Sequence, residues 1–321
     1  MALLNFVLVS LAIAASPATA EESASGLQPG EGTTTGATSA SSVLSKPVSL
    51  ILSDIDGTLV GKDGVLPADN VEAFRLAHSL GIQVAVATGR PRAGVIELLG
   101  KQNLEKMEFS GSPGIYLNGA YVLGPGGKVL RDTPIAHDTL KQVLNVIEEE
   151  GLLHKAIGVT EGPLIHYESE TTQAAPHSRV YKVHVEGEPT AVARVRSRLE
   201  TELGDKIGFA QSHMGAFEVV PPGVDKGEAL RLLCEALGVS PEVVLVLGNA
   251  HNDLSMFEVA GTAVAVGDGY ASAKEAADFV TVPSTGGALM QVLLDIIAGN
   301  LWPKSSPPEG TDTDGAQSRT D

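Results

Sequence analysis

Residues 48–59, Val48-Ser49-Leu50-Ile51-Leu52-Ser53-Asp54-Ile55-Asp56-Gly57-Thr58-Leu59, decide the fold of this chain. A continuous apolar run over Val48–Leu52 that ends on polar residues suits a parallel strand buried on both faces. Ligands of open α/β sheets bind beyond the carboxyl ends of such strands. Asp54 and Asp56 stand at that end, and Gly57 permits a turn that lets both carboxylates approach one ligand. One carboxylate could attack phosphorus while the other gives and takes a proton. Taken alone, the stretch also reads as an ordinary Asp-rich turn.

Outward from it, strands alternate with helical periods. The pattern predicts a helix over Asp69–Leu80, a second buried strand over Ile82–Ala87 and a third near Ile115–Leu117. Later come helix Gly227–Leu237, strand Val243–Leu247, helix Asp253–Val259, strand Ala263–Val266, helix Ser272–Ala277, strand Phe279–Val282 and a closing helix near Leu289–Ile297. Strand–helix alternation implies βαβ units and a doubly wound parallel sheet. The middle has another rhythm: two helices, Asp138–Glu150 and Thr190–Leu203, among short strand candidates near 154–157, 164–167, 181–185, 207–210 and 217–220. This predicts an α+β insertion over 123–216 inside a core of 47–122 and 217–300.

The other strand ends carry chemistry too. Thr88-Gly89-Arg90 follows the second strand and offers a hydroxyl, a flexible amide and a guanidinium to phosphate oxygens. Asp225-Lys226-Gly227 opens a helix, where dipole and ammonium together favour an anion. Gly248-Asn249-Ala250-His251-Asn252-Asp253 gathers oxygen donors suited to a hard cation such as Mg²⁺. Four polar clusters at four element ends converge on one side of a sheet.

In these motifs and their order, the chain resembles the haloacid-dehalogenase-like (HAD) superfamily, specifically its Cof-type (IIB) phosphatases. Leu117-Asn118-Gly119-Ala120 and Lys274-Glu275-Ala276-Ala277-Asp278 add to the resemblance, which covers about residues 47–298. It implies a Rossmann-like core with an inserted α+β cap, and Mg²⁺-dependent hydrolysis of small phosphorylated metabolites, sugar phosphates above all. By position, Asp54 would be the nucleophile and a metal ligand. Asp56 would be the acid and base, its carbonyl also on the metal. Ile55, Thr88, Gly89, Lys226 and Asn252 would hold the phosphoryl group, and Asn249 and Asp253 would complete the metal site. Two positions depart from the pattern. The family's metal-binding Asp is replaced by Asn249, one negative charge fewer, and Gly267-Asp268-Gly269 stands where Gly-Asn-Ala is usual. Asp268 is a candidate for a compensating carboxylate. Asn249 keeps open a weakened relative that binds ligands or proteins, and a phosphomutase would use the same aspartyl-phosphate.

Composition bounds the partners. With 22 Lys and Arg against 39 Asp and Glu, the net charge of −17 argues against nucleic-acid or anionic-membrane surfaces. A lone Cys234 excludes an intramolecular disulfide and a Cys-based zinc site. The histidines His137, His154, His166, His177, His184 and His213 cluster in or beside the insertion without metal-ligand spacing. Gly124-Pro125-Gly126-Gly127-Lys128 is followed by Val129 and reads as a turn, not a phosphate loop. The apolar run Leu3–Ala15 with Ala18-Thr19-Ala20 reads as a signal peptide over 1–20, which routes the chain to the secretory pathway, an organelle lumen or the exterior. No apolar run is long enough to stay in a membrane after its removal. Residues 21–46 and 301–321 are poor in large apolar side chains and read as a disordered linker and tail.

Overall fold

The structure is a computed structural model that describes residues 48–162, 164–167, 179–210 and 215–300. The segments read as signal, linker and tail, and His177 and His213, lie outside the described residues. No helix among the described residues is long and apolar enough to cross a membrane.

Strand β1 (Leu50–Ser53) is buried along its length, as its unbroken apolar run requires. After helix α1 (Ala68–Ser79), strand β2 (Gln83–Ala87) pairs with β1 in parallel, Leu50 opposite Gln83 and Ser53 opposite Val86. Helices α2 (Arg92–Leu99) and α3 (Lys101–Met107) lead to β3 (Gly114–Tyr116), which lies parallel to β2. Strands β4 (Tyr121–Leu123) and β5 (Val129–Asp132) then extend the sheet antiparallel.

The chain leaves the sheet for α4 (His137–Glu149), β6 (Ala156–Val159), β7 (Ile165–His166), β8 (Lys182–Glu186), α5 (Pro189–Leu203), β9 (Gly208–Ala210) and β10 (Ala216–Val220). These strands form their own antiparallel sheet, in the order β7-β6-β8-β10-β9. It shares a separate apolar cluster with the two helices, including Val143, Ile147, Val195, Leu199, Phe217 and Val219. Glu149 and Glu150, at the end of α4, pair with Arg198 and Arg194 of α5.

The chain returns through α6 (Lys226–Leu237), β11 (Val244–Gly248), α7 (Leu254–Val259), β12 (Thr262–Ala265), α8 (Ala271–Ala276), β13 (Phe279–Val280) and α9 (Ala288–Ile297). The main sheet runs β13-β12-β11-β1-β2-β3-β4-β5. One apolar layer joins α1 and α9 to one face, through Phe74, Leu289 and Val292. Another joins α6 and α7 to the other, through Leu230, Leu233 and Phe257. Helices on both faces make the sheet doubly wound.

Two boundaries move. The expected insertion 123–216 begins too early, because β4 and β5 form a hairpin on the main sheet, turning through Pro125-Gly126-Gly127. Both strands are short and β5 is half exposed at the sheet edge, so their pattern looks like the α+β rhythm that follows. It also ends too early. Residues 217–220 belong to the inserted sheet, where Phe217 pairs with Val185 and Val219 with Phe209. The inserted unit therefore spans His137 to Val220. Helices α2 and α3 had no counterpart in the sequence reading.

One side chain fastens the loop after β1 to the scaffold. Asn70 is fully buried; its Nδ2 donates to the Leu59 carbonyl at 2.8 Å, and its Oδ1 accepts from the amides of Leu289 (3.0 Å) and Met290 (3.4 Å) in the first turn of α9. Asn70→Ala leaves these backbone groups without their partner and is expected to cost about 1–3 kcal/mol, measured by urea denaturation.

Candidate active site

Because β1 lies between β2 and β11, three strand ends meet at the point where strand order reverses, the position at which doubly wound sheets form a crevice. Asp54 follows β1, Thr88 follows β2 and Asn249 follows β11. Lys226, the first residue of α6, is fully buried beneath them. Its ammonium donates to Asp54 Oδ1 at 2.8 Å and to Asp253 Oδ1 at 2.7 Å. Asp253 Oδ2 in turn accepts the backbone amides of Asn249 (2.8 Å) and Ala250 (2.9 Å). Gly248 makes this loop possible, since a Cβ there would lie 2.6 Å from Asp253 Cγ.

The electrostatics follow from burial. Loss of water pushes the Asp54 carboxyl up to about 7, against the pull of Lys226 and with the help of the Asp253 and Asp56 charges. Burial also opposes the charge on Lys226, but Asp253 and Asp54 outweigh it and hold the ammonium protonated well above its ordinary range. Asp54 Oδ2 has no protein donor among the described residues.

Asp56 is exposed, and its two oxygens accept Nε and Nη2 of Arg90, both at 2.7 Å. The guanidinium expected to face phosphate is therefore engaged with the expected acid and base, a bidentate geometry that any reachable carboxylate satisfies. Thr88 is buried, with its hydroxyl accepting the Arg90 amide at 3.1 Å. The side chain of Ile55 packs in the core, which leaves its backbone amide as its polar donor at the site. Asn252 Nδ2 donates to Asn118 Oδ1 at 3.1 Å.

These residues open on a cavity of about 700 Å³, lined by Asp54, Asp56, Gly89, Arg90, Asn249 and Asn252 and closed from the inserted unit by Lys182 and Glu218. One expected role is supported by these contacts and one changes. Asp253 accepts hydrogen bonds on both oxygens, from Lys226 and from the amides of Asn249 and Ala250, and so supports the loop on which Asn249 stands. Asp268 does not supply a compensating carboxylate, since its oxygens accept the Ser284 amide and hydroxyl, both at 2.8 Å.

Lys182 and Glu218 were missed by the sequence reading. The signal was an alternation: Val183, Val185, Phe217 and Val219 enter the apolar core of the inserted unit, which leaves Lys182, His184 and Glu218 on the opposite face.

A family model described as haloacid dehalogenase-like hydrolase matches residues 51–293. The chain belongs to that family. This hydrolase is 28% identical to the chloroplastic endoribonuclease YBEY of Arabidopsis thaliana over 73% of its own length, but spans only 44% of that protein. It is 26% identical to the HMP-PP phosphatase of Cronobacter sakazakii, across 67% of this chain and 82% of the relative. A crystallised candidate HAD/COF-like hydrolase of Plasmodium vivax superposes with a TM-score of 0.70 at 26% identity, covering 80% of this chain and 97% of that one.

The hydrolase's donor set can be tested for a metal. No group of three or more His, Cys, Asp or Glu side chains that could hold an ion occurs among the described residues. The residues expected to hold a metal line the cavity and offer oxygen donors: the Asp54 carboxylate, the Asp56 main-chain carbonyl and the side-chain amide of Asn249. Such a set fits Mg²⁺, which accepts few protein ligands and keeps several waters. It carries one formal negative charge. Asn249 is held over the loop, since a Cβ at Gly57 (φ 75°) would collide with its amide.

Removing Lys226 tests the centre of the site. Lys226→Met leaves two buried carboxylates facing each other without a cation, and is expected to lower stability by roughly 3–5 kcal/mol in chemical denaturation at neutral pH.

Proposed function

We propose that this hydrolase is a Mg²⁺-dependent phosphatase of small phosphorylated metabolites, sugar phosphates among them, acting through an aspartyl-phosphate on Asp54. One observation carries the reading. Asp54 is held by Lys226 through one oxygen, while its other oxygen has no protein donor and the residue lines the same cavity as Arg90 and Asp56.

Asp54 Oδ2 would attack phosphorus; the bond to the leaving alkoxide breaks and Asp56 protonates that alkoxide. Asp56 then takes a proton from water, whose oxygen attacks the aspartyl-phosphate and releases phosphate and free Asp54. Arg90 first has to exchange Asp56 for the substrate phosphate, which frees the Asp56 carboxylate to take up a proton from solvent before it acts as the acid. Lys226 offsets charge on the nucleophile as the phosphoryl group arrives, and the amides of Ile55 and Gly89 with Thr88 hold its oxygens. Asp54, the Asp56 carbonyl and Asn249 would hold Mg²⁺, which when bound supplies a Lewis acid for the transferring group. The inserted unit would act as a cap that excludes water. The phosphatase name of the Cronobacter relative supports the reaction class. Residues 1–20 support a secreted or lumenal location, and the net charge of −17 supports a small substrate over a nucleic-acid partner.

Asp54→Asn is expected to reduce hydrolysis of p-nitrophenyl phosphate in Mg²⁺ to background, with free phosphate as the product; an isomerised product instead would mark a phosphomutase. Full activity in that variant would remove the mechanism.

A second reading is favoured by Asn249: a relative that binds ligand and scarcely turns it over. Asn249→Asp adds an anionic ligand and is expected to tighten Mg²⁺ binding about tenfold or more in calorimetry. Turnover seen only in Asn249→Asp would support the binding module. Turnover by the unaltered chain supports the enzyme.

A further inference from the structure

We infer that Lys182 is a substrate-contacting cation brought by the cap to an oxygen of the bound phosphate ester, and that Glu218 is the positioning residue that holds it there. This rests on the phosphatase reading above and adds a contact that no motif of the core supplies.

Lys182 opens β8 and Glu218 lies within β10, both on the cap, yet both are only 7% exposed and both line the cavity that holds Asp54. Glu218 works in two directions. Its Oε1 accepts the Lys182 ammonium at 2.5 Å, and its Oε2 accepts Asn118 Nδ2 of the core at 2.7 Å. His184 Nδ1 stands 3.8 Å from Oε1 on the same face. Asn118 is itself fixed: its amide donates to the Thr88 carbonyl at 3.0 Å, and its Oδ1 accepts from Asn252. One carboxylate thereby joins cap strand, phosphate loop and metal loop.

The position of the ammonium is set by this arrangement. A Cβ at Gly89 would lie 3.5 Å from Lys182 Nζ, so the cation sits directly over the turn whose amide is assigned to the phosphoryl group. An ammonium has three donors, and Glu218 takes one; no other acceptor for Lys182 occurs among the described residues. A purely structural pair has little reason to be here. Burying an ion pair gains little stability against well-packed apolar residues, and this one faces the cavity rather than the cap's apolar cluster. Burial opposes the Glu218 charge, but Lys182 and His184 hold its carboxyl down to about 2, so it remains an acceptor at any working pH.

The test measures binding of inorganic phosphate to the full chain in Mg²⁺ by calorimetry, with thermal denaturation alongside. Lys182→Met is expected to weaken phosphate about tenfold or more, while Lys182→Arg stays within about threefold of the unaltered chain. Glu218→Gln should fall between them. Adding it to Lys182→Met should weaken binding no further, because Glu218 acts through the lysine. Lys182→Gln with Glu218→Gln removes both charges together and gives the same comparison if Lys182→Met does not fold. Unchanged phosphate affinity in that double variant or in Lys182→Met, with or without a lower melting temperature, overturns the inference. An unaltered chain that binds phosphate but hydrolyses no ester defeats the phosphatase reading and leaves the Lys182 comparison intact. One that hydrolyses esters, with a phosphate affinity indifferent to Lys182, defeats only the inference.

Discussion

Everything at the catalytic end of this molecule depends on one buried ammonium. Lys226 is fully enclosed and shared between Asp54 and Asp253, at 2.8 and 2.7 Å. Without it, the ends of β1 and β11 would bring two carboxylates together in a medium that cannot screen them. With it, the two strands can be neighbours, and the helix that carries Lys226 is anchored by its first residue. The same contact leaves the other Asp54 oxygen without a protein donor among the described residues, so one cation both holds the site together and shapes the environment of the proposed nucleophile.

The charge of the site is more nearly balanced than the −17 of the whole chain suggests. Lys62, Arg90 and Lys182 face the cavity along with Asp54, Asp56 and Glu218, and the buried Lys226–Asp253 pair lies behind them. A family-typical Asp in place of Asn249 would tip this set negative and strengthen its hold on a divalent cation. Asn249 keeps an oxygen donor and removes the charge, which moves the burden of stabilising a phosphoryl group toward the lysines and Arg90. A globally acidic protein can then still attract a small anion at one point.

The main sheet was legible because buried parallel strands are continuous apolar runs, and Leu50–Ser53, Gln83–Ala87 and Val244–Gly248 lie within a residue or two of where those runs predict them. The motif residues at their ends were legible for the same reason: a polar cluster stops each run. The hairpin Tyr121–Asp132 was not, since three- and four-residue strands at a half-exposed edge carry too little periodicity to be assigned to one sheet over another. The hydrogen bonds of Asp253 to Lys226 and to the Asn249 and Ala250 amides were not legible, because an oxygen-bearing side chain in sequence does not reveal which donors will reach it. Lys182 and Glu218 were invisible for a different reason. They lie 36 residues apart, and only the register that sets Glu218 opposite His184 turns both toward the core.

In the proposed mechanism, the Arg90–Asp56 pair imposes an order on events. While both Asp56 oxygens accept from the guanidinium, the carboxylate cannot carry a proton to a leaving group. A phosphate dianion entering the cavity competes for the same planar fork, and does so with more charge than the carboxylate it displaces. On that mechanism, release of the Asp56 carboxylate, and its uptake of a proton from solvent, would follow substrate arrival rather than precede it. The Lys182–Glu218–Asn118 connection acts from the other side, since it ties the inserted unit to the turn after β2 through the Asn118 amide and the Thr88 carbonyl. In the proposed mechanism, substrate entry, release of Asp56 and the position of the inserted unit would be linked through these hydrogen bonds.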